Sequence, residues 1–316
     1  MRIAALYGAH DFRIETKESP DIKDDECLIR VRACGVCHSE IHQWAKTLDN
    51  LEYPRYIGHE VSGEILKCGS AVKGFKRGDR VAVWTDRAGY AEEVAVRANQ
   101  IFPIADQISF AEAMAEPIAC TTNGVIKAGV ELGDTVVLVG TGFMGLILMQ
   151  QIALKGASRI IGVDVRAEIL DKAKMLGADL VINPQEEDVP AIIWDMTNGR
   201  GADVVFEVGG NQASLDLAVD LLRMEGKLVI FGYHPGQRII KDLGYWNWMA
   251  FNIVNAHFRD MATILRGAEI GIKLLNEQKI NMKPLITHKF KLDEIEAAFC
   301  SAQEKPKGFI KAVIEP

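Results

Sequence analysis

Residues 135–145 read TVVLVGTGFMG, and this stretch decides the fold of the second half of the chain. Five apolar or β-branched residues predict a buried strand that ends at Val139. Glycines follow at 140, 142 and 145, and the uncharged run that continues to Leu154 predicts a buried helix. A strand, a tight glycine turn and a helix in this order are typical of the phosphate-binding unit of a dinucleotide-binding domain.

Each glycine of this turn has its own physical role. Gly140 allows the tight turn, Gly142 lets the backbone approach a pyrophosphate, and Gly145 permits close packing of the helix on the strand. The N-terminus of the helix favours the negative charge of a phosphate. With Phe143 and Met144, these glycines form the candidate cofactor-binding turn.

A carboxylate follows at the end of the next predicted strand. Asp164 lies 19 residues after Gly145, where it can accept hydrogen bonds from the 2′- and 3′-hydroxyls of a ribose. Its charge repels a 2′-phosphate, so NAD is expected in preference to NADP. Arg166 could reach such a phosphate, which leaves NADP as the less favoured cofactor. The alternative is that Asp164 caps the following helix.

Two patterns of secondary structure divide the chain. The first hundred residues are short apolar runs between glycines and polar turns, which predict a β-rich domain. From about residue 120, strands alternate with helix-length segments, and this predicts a parallel sheet covered by helices on both faces. The predicted strands of this second part are Thr135–Val139, Arg159–Val163, Leu180–Ile182, Asp203–Val208 and Lys227–Phe231. The predicted helices include Ala167–Leu176, Gln212–Arg223 and, after the alternation stops near residue 255, Asp260–Asn276.

A second motif carries the chemistry. Residues 34–42 read CGVCHSEIH, and Gly58-His59-Glu60 follows. Thiolate and imidazole are ligands that suit Zn²⁺, and a catalytic zinc keeps one position open for water or substrate. Cys-x-x-Cys alone is also half of a structural zinc knuckle, or a redox pair. The remaining cysteines are single, and no βαβ pattern adjoins the motif, so both alternatives are less favoured.

Composition excludes several classes of protein. The 316 residues include 36 basic and 43 acidic side chains, a net charge of −7 that argues against nucleic acid as the main partner. Six cysteines do not resemble a disulfide framework, and a reducing compartment is expected. The N-terminus lacks the apolar stretch of a signal peptide. The uncharged run Thr135–Leu154 contains the glycine turn, so a membrane span is not expected. We expect a cytoplasmic protein.

With both halves taken together, the chain resembles the zinc-dependent medium-chain dehydrogenase/reductase family of the alcohol dehydrogenase superfamily, closest to its sorbitol or polyol branch. The resemblance lies in the two metal motifs, Gly-Asp-Arg-Val at 78–81, Glu-Pro at 116–117 and the glycine turn. It implies an α/β fold in which a Rossmann doubly wound parallel sheet joins a GroES-like β-rich catalytic domain. The implied limits are 1–118 for the catalytic domain, 119–255 for the NAD-binding domain and 256–316 for a return to the catalytic domain.

The resemblance also implies the ligands of one catalytic zinc. Cys37 and His59 would bind the metal, with Glu116 where classical alcohol dehydrogenases have a second cysteine. Glu60 would ligate directly or exchange with water during turnover, and whether Glu60 and Glu116 bind the metal or a metal-bound water stays open. Glu40 would orient a ligand imidazole through its free nitrogen.

Other roles come from the same resemblance. Ser39 and His42 would carry the substrate proton, through the cofactor ribose, towards solvent. His38 and Lys311 would contact the cofactor pyrophosphate, and Arg259 would lie near the substrate. The alternatives are a surface histidine at 42 and an ordinary surface ion pair at 259.

The family implies the reaction: reversible hydride transfer between a secondary alcohol and NAD, with a polyol, sugar alcohol or cyclitol as the expected substrate. Threonine-type 3-hydroxy acids and simple alcohols stay open. The cysteine-rich lobe that binds a structural zinc in many relatives is missing, so one zinc per chain is expected, in a homodimer or homotetramer. Two rival functions are a zinc-free NADPH reductase and a non-catalytic dinucleotide-binding sensor or assembly protein.

Overall fold

A computed structural model describes residues 1–48 and 50–316, and in it the chain forms two units. The first unit comprises residues 1–119 and 264–316, and the second comprises residues 120–263. The chain therefore leaves the first unit once and returns to it. Among the described residues, no helix is long and apolar enough to cross a membrane.

The second unit is built on a six-stranded parallel sheet. Its strands are β8 (Thr135–Val139), β9 (Arg159–Val163), β10 (Leu180–Ile182), β11 (Ala202–Glu207), β12 (Leu222–Ile230) and β13 (Asn252–Asn255). The helices that lie wholly or mostly in this unit are α2 (Ala115–Ala128), α3 (Phe143–Ala153), α4 (Ala167–Met175), α5 (Val189–Met196), α6 (Gln212–Asp220) and α7 (Leu243–Trp248). The strand order is β10-β9-β8-β11-β12-β13. Strands β8 and β11 are largely buried, as expected for a sheet covered on both faces.

The strand order reverses at β8. From β8 the chain proceeds to β9 on one side and later to β11 on the other. In open parallel sheets, ligands bind at the carboxyl ends of the strands where the order reverses in this way. The glycine turn at 140–145 lies at that position.

The first unit is mainly antiparallel. Its strands are β1 (Arg2–Leu6), β2 (Phe12–Thr16), β3 (Glu26–Gly35), β4 (Glu60–Cys68), β5 (Arg80–Trp84), β6 (Glu93–Arg97), β7 (Ile101–Pro103), β14 (His288–Lys291) and β15 (Ala312–Glu315). Its helices are α1 (His38–Trp44), α8 (Met261–Asn276) and α9 (Ile295–Glu304). One sheet has the order β14-β15-β3-β4-β5-β7, with β6 also paired to β3. The C-terminal strand β15 thus lies beside β3, which leads to the metal motif.

Several predicted elements differ from the structure by one residue at an end, and the largest difference lies between α6 and β12. The pattern predicts a helix over Gln212–Arg223, but α6 ends at Asp220 and β12 begins at Leu222. Leu222 is fully buried and pairs with Ala202 in the neighbouring strand. Leu222, the last apolar residue of the predicted helix, therefore belongs to the sheet, because β12 begins earlier than the strand predicted from Lys227.

Candidate functional site

Two neighbouring strands bring the candidate metal ligands together. Gly35, the last residue of β3, pairs with Glu60, the first residue of β4. Cys37 follows the end of β3 and His59 precedes the start of β4, so both lie at the same edge of the sheet. Cys37, His59 and Glu60 each offer one ligand atom, and these atoms all lie within 4.8 Å of one another.

Glu40 fixes the orientation of the His59 ring. Its Oε1 lies 2.8 Å from His59 Nδ1 and also accepts a hydrogen bond of 2.7 Å from the backbone N–H of Gly58. The Tyr90 hydroxyl donates to Oε2. Burial acts to raise the pKa of Glu40, but these partners outweigh burial and lower the pKa below its usual value. Since Nδ1 faces a carboxylate, Nε2 is the nitrogen left for a metal.

The charges of the site favour a cation. Burial acts to lower the pKa of His59, but Glu40 and Cys37 raise it well above its usual value. The buried carboxylate of Glu40, which favours a proton on this imidazole, equally favours a metal ion. Thiolate, imidazole and carboxylate are a donor set of the kind that binds zinc, so these residues fit the ion that the sequence predicts.

Gly35 provides the space for this arrangement. A β-carbon at residue 35 would lie 2.0 Å from Glu60 Oε2 and 2.5 Å from Met114 Sδ. Any side chain at this position would therefore displace the Glu60 carboxylate. The glycine of the Cys-Gly-Val-Cys motif is needed for the shape of the site.

A buried lysine faces the Glu60 carboxylate. Lys311 Nζ lies 2.7 Å from Oε1 and 2.6 Å from Oε2 of Glu60, and it donates a hydrogen bond of 2.8 Å to the carbonyl of Val36. Burial acts to lower the pKa of Lys311, but the charges of Glu60, Cys37 and Glu116 outweigh burial and raise it. Lys311 is thus the cation that balances Glu60 in this structure.

The residues of the predicted proton path and their neighbour His38 lie on α1. Ser39 Oγ is 3.2 Å from Cys37 Sγ, which places the hydroxyl beside the metal ligands. His42 Nδ1 lies 2.8 Å from Thr47 Oγ1. The rings of His38 and His42 pack edge to face with centroids 5.0 Å apart. Burial lowers the pKa of His38 to about 4, and nearby positive charges contribute to the same shift. The imidazole of His38 is therefore neutral near pH 7.

Two further candidates lie outside the group of three ligands. Glu116 is in the first turn of α2, and its charge contributes to the raised pKa of Lys311. Arg259 belongs to the second unit, where it is exposed and its Nη1 donates to the carbonyl of Phe258. Their roles as metal ligand and substrate contact stay predictions.

The glycine turn has the geometry that its sequence predicts. Gly140 adopts a positive φ of 103°. A β-carbon at Gly145 would lie 2.3 Å from the carbonyl oxygen of Gly140, so only glycine allows α3 to begin this close to the turn. A β-carbon at Gly142 would meet only Arg166 Nη2, at 3.8 Å, apart from the adjacent backbone, which leaves room for a bound group. Phe143 and Met144 form the first turn of α3, whose backbone N–H groups suit a phosphate.

Asp164 adjoins this turn. Its Oδ2 accepts a hydrogen bond of 3.0 Å from the backbone N–H of Thr141, and its Oδ1 accepts one of 3.1 Å from that of Arg166. The Arg166 Nε lies 3.7 Å from Oδ1. The N-cap of α4 is Arg166, so Asp164 lies before the cap position that the alternative interpretation assigns to it.

Sequence reasoning missed the pairing of Lys311 with Glu60. The two residues are 251 positions apart, and no local spacing connects them. Only the pairing of β15 with β3 brings the C-terminal segment to this site. The lysine itself was a candidate, but as a contact of the cofactor pyrophosphate.

Comparisons with known proteins assign both parts of the chain to the same group of enzymes. Residues 23–128 match the alcohol dehydrogenase GroES-like domain, and residues 144–265 match the zinc-binding dehydrogenase family. A sorbitol dehydrogenase of Halalkalibacterium halodurans is 30% identical over 344 residues, which cover 99% of this chain and 98% of that protein.

Solved structures also resemble this chain over its whole length. The structure of 2R,3R-butanediol dehydrogenase from Bacillus subtilis has a TM-score of 0.86 and 26% identity, covering 100% of this chain and 99% of that one. A Sinorhizobium meliloti 1021 protein bound to NADP has a TM-score of 0.88 over 100% of this chain and 99% of its own; at 22% identity, it shows the fold alone. The predicted family is confirmed: this chain belongs to the zinc-type medium-chain dehydrogenases, in their polyol branch, and is by class an alcohol dehydrogenase.

Proposed function

We propose that this chain is a zinc-dependent oxidoreductase that interconverts a secondary alcohol of a polyol, sugar alcohol or cyclitol with its ketone, using NAD(H). The observation that carries the proposal is the group formed by Cys37, His59 and Glu60, with Glu40 on the free nitrogen of His59. Such a group provides three protein donors and leaves a fourth position for substrate, as catalytic zinc sites do. A structural site would be closed by four protein ligands.

The residues of the site have separate tasks in this proposal. Cys37 and His59 hold one zinc per chain, which when bound supplies a Lewis acid that lowers the pKa of the substrate hydroxyl. Glu60 is a further donor whose charge Lys311 balances. Ser39, next to Cys37, receives the substrate proton, and His42 on the same helix passes it towards solvent. Glu116 completes the acidic surroundings of the metal.

The cofactor turn supplies the other half of the reaction. The N-terminus of α3 and the open space at Gly142 would hold the pyrophosphate of the cofactor, which when bound would supply the hydride acceptor. Asp164 binds the ribose hydroxyls. Both of its oxygens already accept backbone hydrogen bonds, so the carboxylate is held in place and a 2′-phosphate would meet fixed negative charge. NAD is therefore preferred, with NADP as the weaker cofactor.

The direct test is the initial rate of cofactor reduction across a panel of polyols, cyclitols, L-threonine and simple secondary alcohols. Each substrate is assayed with NAD and with NADP, before and after treatment with a metal chelator. We expect the highest rates with polyols and NAD, loss of most of the rate after chelation, and recovery when zinc is added back. Metal analysis is expected to find about one zinc per chain, since one ligand group is proposed.

Three outcomes would contradict parts of this proposal. A higher rate with NADP would overturn the role of Asp164. A rate that survives complete removal of the metal would favour a zinc-free reductase. Tight NADH binding without turnover on any alcohol, by protein without metal, would favour a non-catalytic sensor.

We also propose that two copies of the chain pair through the second unit. Strand β13 is the last strand in the order of the parallel sheet, and Ile253 on it is 55% exposed. An unpaired edge with exposed apolar side chains is a template for pairing with another chain. Light scattering is expected to give twice the chain mass or a multiple of that value, and a monomeric mass at assay concentration would contradict the proposal.

A further inference from the structure

A buried carboxylate lies at the end of β11, outside the candidate metal site. Glu207 is fully buried, and its Oε1 accepts hydrogen bonds from the backbone N–H of Gly210 at 2.7 Å and from Ser214 Oγ at 2.6 Å. These two bonds stabilise the turn between β11 and α6. The other oxygen, Oε2, lies 2.6 Å from His234 Nε2, in the loop that follows β12.

The contacts of Glu207 continue through His234 to an arginine. His234 Nδ1 lies 3.0 Å from Arg238 Nε, which can only donate, so Nδ1 accepts and Nε2 carries the proton given to Glu207. Arg238 Nη2 donates a hydrogen bond of 2.8 Å to the carbonyl of Gly210. Glu207, His234 and Arg238 therefore form a closed chain of contacts, called here the loop anchor, between residues 208–211 and residues 231–238.

The loop anchor adjoins the cofactor turn. The carbonyl of Val139, at the end of β8, accepts hydrogen bonds from the N–H groups of Val208 and Gly209. A β-carbon at Gly140 would lie 2.9 Å from the nitrogen of Gly209, so the two turns are in close contact. A β-carbon at Gly232 would lie 2.6 Å from the nitrogen of Gly210, so the two anchored loops also touch each other.

The strand order indicates which half of a dinucleotide these loops meet. The pyrophosphate turn follows β8, and Asp164, the proposed ribose contact, directly follows β9 on one side of β8. Strands β11 and β12 lie on the other side. A dinucleotide that crosses the switch point with its adenosine ribose at Asp164 therefore extends its nicotinamide half over the carboxyl ends of β11 and β12.

We propose that Glu207, His234 and Arg238 are positioning residues for the nicotinamide half of the cofactor, because together they hold the two loops that receive it. This inference depends on the proposed dinucleotide binding. A purely structural role would require only the bonds on Oε1, which close the turn before α6. The bonds through Oε2 and Arg238 instead connect two loops from different strands at the ligand-binding edge. Because these loops are already fixed before binding, less conformational entropy is lost when the ligand binds to them.

The test compares two nucleotides that differ in the nicotinamide. Affinities for NADH and for ADP-ribose, which lacks the nicotinamide, are measured by fluorescence and calorimetric titration on wild-type protein and on His234→Ala and Arg238→Met. We expect NADH to bind about tenfold more weakly to each variant, the size of effect that one lost hydrogen bond with a charged group gives. ADP-ribose affinity is expected to change less than about twofold, since the adenosine half is bound elsewhere.

Two further variants distinguish a positioning role from a non-specific effect of mutation on the structure. His234→Gln can donate to Glu207 and accept from Arg238, so it is expected to restore most of the NADH affinity. Lys241→Met removes an exposed ion pair with Asp216 just beyond the same loop and is expected to change neither affinity. If His234→Ala does not fold, Arg238→Met decides the outcome, because it leaves Glu207 paired with His234.

The results distinguish this inference from the proposed function. Wild-type protein that binds neither nucleotide overturns the proposed dinucleotide binding and the loop anchor with it. Wild-type protein that binds both, with folded variants that lose both affinities equally or lose neither, overturns the loop anchor alone. Loss of NADH affinity that glutamine at position 234 fails to restore also counts against it.

Discussion

Replacement of Cys37 by serine is expected to reduce zinc affinity by at least about 100-fold and to remove most of the turnover. Loss of a residue that merely supports a metal ligand costs about 10–100-fold in affinity or activity, so loss of a ligand itself should cost at least as much. The hydroxyl of serine does not ionise near pH 7 and is a poor ligand for zinc. The measurements are the metal content after dialysis, the zinc affinity in competition with a chromophoric chelator, and the rate with the best substrate of the panel.

The matched control is Cys34→Ala, three residues upstream and next to the last residue of β3. Cys34 is fully buried, and burial raises its pKa well above the usual value of a thiol. Its sulfur therefore stays protonated and fills space in the core. Cys34→Ala is expected to lower stability by about 1 kcal/mol, as small core truncations do, and to leave zinc affinity unchanged. Equal loss of zinc in both variants, or full activity in Cys37→Ser, would contradict the ligand assignment.

The fold of the second unit could be predicted from sequence because the residues that define its strands, turns and helices lie close together along the chain. The strand, turn and helix at 135–153 follow one another directly, and the requirement for glycine at position 145 is a contact with Gly140 five residues earlier. The prediction of a parallel sheet with a Rossmann fold is confirmed. The boundary after α6 was wrong because Leu222 pairs with Ala202, and pairing partners twenty residues apart leave no periodic signal in the sequence.

The candidate metal site was predictable in its residues but not in its charge balance. Cys37 and His59 belong to motifs of fixed spacing, and the resemblance to a family assigns roles to them. The need for glycine at position 35 depends on where Glu60 and Met114 lie, and these residues come from other parts of the chain. The loop anchor was missed for the same reason, since Glu207 and His234 are 27 residues apart in two separate loops.

Lys311→Met is expected to destabilise the metal-free protein by about 3–5 kcal/mol, the cost of leaving one member of a buried ion pair without its partner. The side chains of Lys311 and Glu60 are only 6% and 2% exposed, so water cannot replace the lost ammonium. The carbonyl of Val36 also loses its hydrogen bond from Nζ. Thermal and denaturant unfolding of chelator-treated protein measure the effect.

An exposed pair on the neighbouring strands provides the control. Lys289 Nζ lies 2.7 Å from Glu315 Oε1, a separation like that of the buried pair, but these side chains are 55% and 31% exposed. Lys289→Met is therefore expected to cost at most about 1 kcal/mol. The double variant Lys311→Met, Glu60→Gln removes both buried charges, and it should recover a large part of the stability that Lys311→Met loses.

The effect of added zinc on the melting temperature of Lys311→Met should distinguish a charge-balancing role of Lys311 from a role in packing alone. If the lysine and the metal both neutralise Glu60, the metal can replace the ammonium in Lys311→Met, and added zinc should raise the melting temperature of this variant more than that of the wild type. Binding to the folded state alone stabilises a protein in proportion to the logarithm of the affinity, so the larger shift would report tighter zinc binding. Equal shifts in the two proteins, or a metal-free variant as stable as the wild type, would mean that Glu60 is neutralised in some other way. A larger shift would instead identify the Lys311 ammonium as a competitor of the metal for one carboxylate, which makes the residue just before the C-terminal strand β15 a determinant of how tightly this site holds zinc.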